Sequence, residues 1–221
     1  YKGYVVFLTS MKVLVLGASG MLGHRLWLDL SQKGHEVVGC SRKSLPAIDL
    51  PHVKLNSLDT ADLRQLIDNV KPEVVLNCIG VIKQSSDLND YRNTIRINSV
   101  LPHVLAGLSK ELGFRFIHFS TDCVFKGDVQ GSYKDNAPHD APDIYGTSKS
   151  VGEVSDFNSV LTLRTSIIGM ELFNKGSLLE WFLSQSGKQI KGFTKAVFSG
   201  LPTAEVANVL HDHVLPNTEL C

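Results

Sequence analysis

Short apolar runs alternate with amphipathic stretches along the chain, and this alternation indicates an α/β fold. The apolar runs predict five strands, at residues 11–17, 35–40, 52–56, 73–80 and 114–120. Stretches with helical periodicity lie between them, at residues 21–34, 61–70 and 88–112. Because the strands are almost continuously apolar, we expect them to be buried on both faces of a parallel sheet. The pattern predicts a Rossmann-type doubly wound parallel sheet, with ligands bound beyond the carboxyl ends of its strands.

The last third of the chain continues with one strand and two helices. We place the strand at 159–168 and the helices at 177–185 and 203–215. Thr60 precedes the second helix and is predicted to cap it. Trp27 and Trp181 lie on apolar helical faces and are predicted to be core residues. His118 alternates with apolar residues in the fifth strand, which favours a packed strand residue over a catalytic base.

Composition and charge narrow the choice of partners. The 221 residues are 43% hydrophobic and 20% charged, which is enough apolar material for a large core. The 22 basic and 22 acidic residues cancel, so the sequence predicts neither a nucleic-acid partner nor an anionic membrane partner. No apolar stretch reaches the roughly 18 residues that span a bilayer. The four cysteines form no C-x-x-C pair, which favours a reduced, cytoplasmic protein.

Three glycines mark the junction between the first strand and the first helix. They occur in GASGMLG, where glycines permit a tight turn and a close approach of the backbone to a pyrophosphate. The spacing is G-x-x-G-x-x-G, and a purely structural turn is the alternative interpretation. We interpret the junction as a dinucleotide-binding loop. Its predicted cofactor-binding residues are Gly17, Ser19, Gly20, Met21, Leu22 and Gly23.

The residues that close the second strand predict which dinucleotide fits. An acidic side chain at this point hydrogen-bonds the ribose 2′-hydroxyl of NAD. This sequence has Ser41, Arg42 and Lys43 there and no carboxylate. Cations and a hydroxyl suit a 2′-phosphate, so the sequence predicts NADP(H) rather than NAD(H). An ordinary solvated basic loop is the alternative.

A hydroxyl, a phenol and an amine form the candidate catalytic set. Thr121 ends the fifth strand in STDCVF, and Tyr145 and Lys149 are four residues apart in YGTSK. On a helix this spacing places both side chains on one face. A neighbouring ammonium is expected to lower the pKa of the phenol and make it a usable general acid. Thr121 is expected to polarise a carbonyl group.

GASGMLG, STDCVF and YGTSK together resemble the extended short-chain dehydrogenase/reductase family, and within it the dTDP-4-dehydrorhamnose reductase group. The resemblance covers nearly the whole chain after residue 10. It implies that Thr121 and Tyr145 act at the substrate carbonyl and that Lys149 holds the nicotinamide ribose. It also implies that Asn98 steadies this catalytic set.

The resemblance also assigns binding residues. Those for the cofactor are Asn56, Asn77, Gly80, Tyr145 and Lys149, and those for the substrate are Thr121, Asp122, Cys123, Val124 and Arg164. Cys123 stands where the family usually has an aromatic residue, and Asn56 stands where an Asp commonly contacts the adenine. Asp122 beside a turn is also expected to have a structural role. No metal site is predicted, because His211 and His213 point apart on a helix.

The implied activity is NADPH-dependent reduction of the 4-keto group of a nucleotide-linked deoxysugar, with a nucleotide-diphosphate sugar as substrate and a homodimer as a possible assembly. A nucleotide-sugar epimerase remains an alternative. Dehydration is disfavoured because Cys123 stands where dehydratases carry a Glu. A non-catalytic NADP-binding regulatory subunit, like the beta subunit of methionine adenosyltransferase, is a third possibility.

The position of Met11 and the resemblance together predict how the chain divides into domains. Residues 1–10 are interpreted as an extension without assigned function, and residues 11–165 as the NADP-binding domain. Residues 166–221 are expected to form part of a small C-terminal substrate lobe. The lobe is expected to be incomplete, since the family normally continues well beyond Cys221.

Overall fold

The fold was established from a computed structural model of the chain. It describes residues 10–45, 48–83, 86–128, 131–173 and 176–220. All but the last residue of the extension predicted at 1–10 lie outside these ranges, so that interpretation stays a prediction. Within the described ranges, no helix combines the length and apolar character needed to cross a membrane.

Six parallel strands form the central sheet. They are β1 (Lys12–Leu16), β2 (Glu36–Ser41), β3 (His52–Lys54), β4 (Val74–Asn77), β5 (Arg115–Thr121) and β6 (Val160–Thr165). The strand order is β3-β2-β1-β4-β5-β6, so the chain moves outward from β1 and then crosses back to β4. Loops that leave the sheet on either side of this reversal open a crevice beyond the carboxyl ends of β1 and β4. The predicted Rossmann-type sheet is confirmed.

Helices cover both faces of the sheet. They are α1 (Met21–Gln32), α2 (Thr60–Val70), α3 (Tyr91–Ile95), α4 (Leu101–Leu112), α5 (Ile144–Val151), α6 (Leu178–Leu183) and α7 (Thr203–Val209). A π-helical turn (Arg96–Val100) joins α3 to α4, and a second one (Leu210–Val214) extends α7. One core cluster joins α1 and α7 to the sheet and includes Val13 and Trp27. The opposite cluster joins α2 and α4 to the sheet and includes Leu14 and Leu105.

Three local predictions were wrong. The strand predicted at 159–168 is interrupted at Ser166, after which β7 (Ile167–Ile168) leaves the sheet and pairs with β8 (Leu201–Pro202). Gly200 permits this pairing, because a Cβ there would lie 2.1 Å from the Ser166 carbonyl oxygen. Thr60 is the first residue of α2, and Asp59 occupies the cap position. Trp181 is 44% exposed, since α6 has no buried residue.

Candidate active site

The glycine loop lies at the carboxyl end of β1. Gly17 has a φ of +81°, and a Cβ there would lie 2.9 Å from the carbonyl carbon of Cys78. A Cβ on Gly23 would lie 2.2 Å from the Gly17 carbonyl oxygen, so only glycine lets α1 begin this close to the turn. α1 has no side-chain cap at Gly20, and the N–H groups of a first helical turn have no intrahelical acceptor. The loop therefore has the shape and the donors that a pyrophosphate requires.

The other residues predicted to bind the cofactor in this loop belong to the same turn. Ser19 and Met21 are half-buried, and Leu22 is buried against the sheet. Leu22 can therefore meet a ligand through its backbone N–H, whereas Ser19 and Met21 keep part of their side chains open.

The loop after β2 carries the residues predicted to select the dinucleotide. Arg42 and Lys43 are exposed, and the Lys43 ammonium lies 5.5 Å from the ring centre of Phe173. Ser41 is buried; its hydroxyl donates to the Lys43 carbonyl oxygen at 2.6 Å and lies 2.9 Å from Nε2 of His52. The two cations are therefore open to a phosphate, while Ser41 shapes their loop and its contact with the cofactor stays a prediction.

Two buried asparagines organise the loop that follows β4. Oδ1 of Asn77 accepts a hydrogen bond at 3.1 Å from the backbone two residues later. Oδ1 of Asn98, in the first π-helical turn, accepts from the Val81 N–H at 2.8 Å. Nδ2 of Asn98 donates to the Val81 carbonyl and to the Ser148 hydroxyl, both at 3.0 Å. Asn98 thereby ties the loop that contains the exposed Gly80 to α5.

Thr121 is the last residue of β5 and is almost fully buried. Its Oγ1 accepts from the Cys123 N–H and donates to Oδ1 of Asp122, both at 3.2 Å. The Thr121 hydroxyl also interacts with the Tyr145 phenol and acts to lower the pKa of that phenol. Asp122 itself is exposed, and burial raises the pKa of the half-buried Cys123 thiol. The structure thus brings Thr121 and Tyr145 together at the carboxyl end of β5.

α5 is positioned by its N-terminal cap. The Asp143 carboxylate accepts from the Gly146 N–H at 2.8 Å and from the Lys83 ammonium at 2.6 Å. Because Asp143 closes the first turn, α5 starts one residue before Tyr145, and Lys149 follows one helical turn later on the same face. The predicted i, i+4 arrangement on a helix is therefore present.

The expected lowering of the Tyr145 pKa by Lys149 is wrong for this structure. Burial raises the pKa of Tyr145 above its ordinary value, and the interaction with Thr121 opposes that rise only in part. Lys149 is 5% exposed, and its Nζ donates to the Phe119 carbonyl oxygen at 2.7 Å. Burial lowers the pKa of Lys149 to about 8, against the opposing charge of Glu153. The amine therefore loses its proton much closer to neutrality than an exposed lysine does.

Arg164, predicted to bind substrate, is engaged within the protein. Its guanidinium holds Glu153 through Nε to Oε1 at 2.9 Å and through Nη2 to Oε2 at 2.7 Å. Nη1 donates to the Asp135 carbonyl oxygen at 2.7 Å, and Nη2 to Nε2 of His139 at 2.8 Å. Arg164 thus ties β6 to the loop that precedes α5. A contact with substrate stays a prediction.

Glu153 is a site-supporting residue that the sequence did not reveal. Ser120 donates to its Oε1 at 2.6 Å, next to Thr121. Burial acts to raise the pKa of Glu153, but hydrogen bonds from Arg164 and Ser120 hold it below its ordinary value. The partners of this carboxylate come from two different strands, so no local motif marks it.

The remaining predicted residues lie near the site without a contact that assigns them. Asn56 is exposed just beyond β3. Val124 is fully buried, and its carbonyl oxygen accepts from the Asp140 and Ala141 N–H groups, so it shapes the loop after β5. Roles for Asn56 at the adenine and Val124 at the substrate stay predictions. In the part of the chain that the structure describes, no group of three or more His, Cys, Asp or Glu residues could hold a metal.

Comparison with known proteins gives the family of this fold and site. The model of the RmlD substrate binding domain family matches residues 11–213, nearly the whole chain. The chain belongs to this family. Its members include the dTDP-4-dehydrorhamnose reductases, and the resemblance to extended short-chain dehydrogenase/reductases is thereby confirmed.

Two curated relatives of this RmlD-like chain are named for different roles. The probable low-salt glycan biosynthesis reductase of Haloferax volcanii is 32% identical over 72% of the chain and 54% of the relative. Methionine adenosyltransferase 2 subunit beta of Danio rerio is 31% identical over 67% of the chain and 44% of the relative. The chain thus spans about half the length of the curated relatives that it matches.

Solved structures agree with the fold. A hypothetical dTDP-4-dehydrorhamnose reductase from Sulfolobus tokodaii has a TM-score of 0.75 at 26% identity, covering 90% of this chain and 71% of its own. The Bordetella bronchiseptica enzyme WbmH, solved in complex with NAD+, has a TM-score of 0.72 at 25% identity, covering 91% and 71%. The RmlD-like chain therefore shares the fold of these neighbours over most of its length.

Proposed function

We propose that the chain binds NADP(H) and reduces the 4-keto group of a nucleotide-linked deoxysugar. The observation that carries the proposal is the junction of Thr121, Tyr145 and Lys149 at the carboxyl end of β5, on the edge of the sheet that also holds the glycine loop. The family and the reductases among the relatives support the same reaction class. That the substrate is a deoxysugar linked to a nucleotide is likewise part of the proposal.

Each residue has a distinct task in this reaction. The chemistry supplied by bound NADPH is delivery of a hydride to the C4 carbonyl carbon. Tyr145 donates its phenolic proton to the oxygen as negative charge develops there, and Thr121 hydrogen-bonds the same oxygen. The raised pKa of Tyr145 keeps the phenol protonated and ready to donate at neutral pH. Lys149 lies beneath them, with Nζ on the Phe119 carbonyl, and holds the ribose of the cofactor.

The fit of the chain to a dinucleotide rests on its own geometry. The close approach of Gly17, the absence of a Cβ at Gly23 and the uncapped start of α1 form a cradle for a pyrophosphate. Arg42 and Lys43 are exposed at the end of β2, where a 2′-phosphate lies in NADP. These cations are our reason for proposing NADP(H), although the neighbour WbmH was solved with NAD+.

A second candidate is a regulatory subunit that binds NADP without turnover. It is favoured by the likeness to methionine adenosyltransferase 2 subunit beta. An epimerase is a further alternative, since Tyr145 and Lys149 suit that chemistry too. A cytoplasmic location and a homodimer stay predictions.

The decisive experiment measures NADPH oxidation with dTDP-4-keto-6-deoxyhexose, with NADH in parallel. We expect turnover that prefers NADPH and that falls by at least about a hundredfold in Tyr145→Phe. Tyr133→Phe is the matched control, because Tyr133 accepts from the Gly127 N–H in the preceding loop and stacks on Phe125. Binding of NADPH without turnover, with Tyr145→Phe unchanged, would support the regulatory candidate and contradict the reductase.

The cofactor preference has its own test. Replacing both Arg42 and Lys43 by alanine is expected to raise the KM for NADPH by roughly tenfold or more, because two charge-assisted contacts to the phosphate are lost. The KM for NADH should change little. Lys33→Ala, at the end of α1, is the control for loss of a surface charge. Equal effects on both cofactors would contradict a 2′-phosphate site at this loop.

A further inference from the structure

His118 is a polar residue buried in the middle of the sheet. It lies on β5, in register with Asn77 on β4 and Thr162 on β6, and is 0% exposed. The sequence interpretation as a packed strand residue agrees with this burial. A buried imidazole must nevertheless satisfy its two nitrogens, and its partners define what it does.

Asn77 decides which nitrogen of His118 carries the proton. Oδ1 of Asn77 accepts from the Ile79 N–H at 3.1 Å, so Nδ2 is the amide atom that faces Nδ1 of His118, at 3.2 Å. An amide nitrogen only donates, so Nδ1 must accept. The pKa of His118 lies well below its ordinary value because of burial, with the charges of Lys149 and His103 acting in the same direction. The imidazole is therefore neutral, and its single proton is on Nε2.

Nε2 of His118 faces the amino group of Lys149 at 3.5 Å. An uncharged amine can accept a hydrogen bond from Nε2–H, whereas an ammonium has no lone pair to do so. Other influences on Nζ act differently: burial disfavours the ammonium, and the charge of Glu153 favours it. The Cys78 thiol nearby is uncharged near neutral pH, because burial raises its pKa. The Phe119 carbonyl, one residue along β5, accepts from Nζ. His118 and the Phe119 carbonyl therefore hold the amino group from two sides.

We propose that His118 is a positioning residue for Lys149. A directional line of hydrogen bonds runs from the backbone N–H of Ile79 through Asn77 and His118 to Nζ, holds the amine against β5 and favours its uncharged form. The line joins the loop after β4, beside the glycine loop, to the amine that shares a face of α5 with Tyr145.

The consequence for turnover rests on the proposed function. Tyr145 gives its proton to the substrate oxygen and must regain one before the next cycle. That proton comes from water, so protons balance, and the charge of Lys149, on the same face of α5 as Tyr145, influences how readily the phenolate takes it. His118 is outside the set of groups that touch substrate or cofactor, and acts only through Lys149.

The first test observes the tautomer directly. Long-range 1H–15N spectra of the 15N-labelled chain report which ring nitrogen of each histidine is protonated. For His118 we expect the neutral Nε2–H form throughout pH 6–8. A protonated Nδ1 in that range, whether as the other tautomer or as imidazolium, would overturn the proposal. The measurement uses the unaltered chain and needs no variant to fold.

The second test follows the titration of Lys149 by 13C NMR of the chain labelled at lysine Cε, with Lys149→Met for assignment. His118→Met fills similar space without an N–H, and is expected to raise the pKa of Lys149 by roughly one unit. His35→Met is the matched control, because His35 is also buried but lies ahead of β2, three strands away from β5 in the sheet. A Lys149 pKa that is unchanged or lower in His118→Met overturns the proposal.

If His118→Met does not fold, Asn77→Ser removes the amide donor and provides the same comparison. A rise in the Lys149 pKa supports the proposal, and its absence contradicts it. None of these measurements requires turnover. They can fail while the chain is a reductase, or succeed while it is only a binding protein, so the two proposals are tested separately.

Discussion

At the scale of single residues, Lys149 shows the conflict between catalytic use and stability. Its side chain is 5% exposed, and burial lowers its pKa to about 8 from the ordinary 10.5. In the folded protein the ammonium has only partial compensation, chiefly the Phe119 carbonyl and the charge of Glu153. A lysine with no catalytic task at this position would be expected to be replaced by an apolar residue.

Lys149→Met is therefore expected to stabilise the protein at pH 7 while abolishing turnover. Below pH 8 both the folded and unfolded chains carry the ammonium, so the full cost of about 3 kcal/mol applies. Between pH 8 and 10.5 the unfolded chain binds more protons than the folded one, so this cost disappears as pH rises. Urea unfolding at pH 7 should give a gain of about 1–3 kcal/mol, because the bond to Phe119 is also lost.

The comparison must be made between the variant and the wild type at each pH. Burial raises the pKa of the Cys40 thiol to about 12, so its ionisation in the unfolded chain lowers stability above about pH 9. This effect is common to both proteins and cancels in the difference. A stability difference that stays constant from pH 7 to 10.5 would show that Lys149 is not held with a lowered pKa.

Gly23 shows a second kind of residue constraint, which is steric. A Cβ at this position would lie 2.2 Å from the Gly17 carbonyl oxygen, a backbone atom that cannot rotate away. Gly23→Ala is therefore expected to lower the free energy of unfolding by roughly 2–4 kcal/mol and to weaken NADPH binding. Gly107→Ala is the control, because no atom lies within 4 Å of the added Cβ in α4. It should raise stability by up to about 1 kcal/mol in the same urea titration. Equal effects would contradict close packing at the loop.

At the scale of elements, the start of α5 determines where Tyr145 lies. The Asp143 carboxylate caps the helix and also binds Lys83, and the hydrogen bond from the Gly146 N–H, followed by that of Lys83, lowers its pKa. Its contribution to stability is therefore complete above pH 4 and is lost as pH falls through the lowered pKa. The position of α6 is less firmly determined, because none of its residues is buried against the rest of the protein.

Asp143→Ala is expected to lower the free energy of unfolding by about 1 kcal/mol at pH 7, because a helix cap is lost. Asp143→Asn keeps an acceptor for the Gly146 N–H and loses only the partly exposed ion pair, so its cost should be clearly smaller. Thermal unfolding of the wild type and both variants measures these differences at pH 7. At pH 3 the differences should be smaller, because the Asp143 contribution is being lost there. Equal destabilisation by the two variants would assign the effect to the ion pair with Lys83 instead of the cap.

The elements also show what the sequence could and could not predict. The strands and the glycine loop were predictable, because runs such as 11–17 and the helical stripe of α1 are set by local periodicity. The break at Ser166 was not, because it depends on Gly200, more than thirty residues away. The π-helical turn that contains Asn98 likewise depends on contacts with Val81 and Ser148, and no local sequence pattern predicts these contacts.

The site divides in the same way. The sequence motifs STDCVF and YGTSK identified Thr121, Tyr145 and Lys149, because each motif places reactive side chains at a strand end or on one helix face. The residues that hold them, Glu153 and His118, reach their partners across strands and left no local signal. The pKa values of Tyr145 and Lys149 were out of reach for the same reason, since burial sets both.

At the scale of the whole molecule, α7 and the residues after it pack into the same core as β1 and α1. α7 and the π-helical turn after it place Val206, Leu210 and Leu215 in the same buried cluster as Val13 of β1 and Trp27 of α1. Arg115 of β5 adds polar contacts, donating to the Val214 and Leu220 carbonyl oxygens at 2.7 and 2.8 Å. The sequence analysis assigned this segment to the substrate lobe at residues 166–221, and that domain boundary stays a prediction. The packing nevertheless makes the stability of the sheet depend on residues 203–215.

Leu210→Ala tests this dependence. Leu210 is 0% exposed, so removing its side chain leaves a cavity between α7 and α1 and should lower the free energy of unfolding by roughly 2–5 kcal/mol. Phe193→Ala is the control, because Phe193 is 94% exposed and its loss should change stability by no more than about 0.5 kcal/mol. If residues 203–215 fold as one unit with the sheet, urea unfolding followed by fluorescence and by circular dichroism will give coincident transitions, both shifted by Leu210→Ala. A separate early transition that alone responds to Leu210→Ala would instead mean that this segment unfolds independently of β1 and α1.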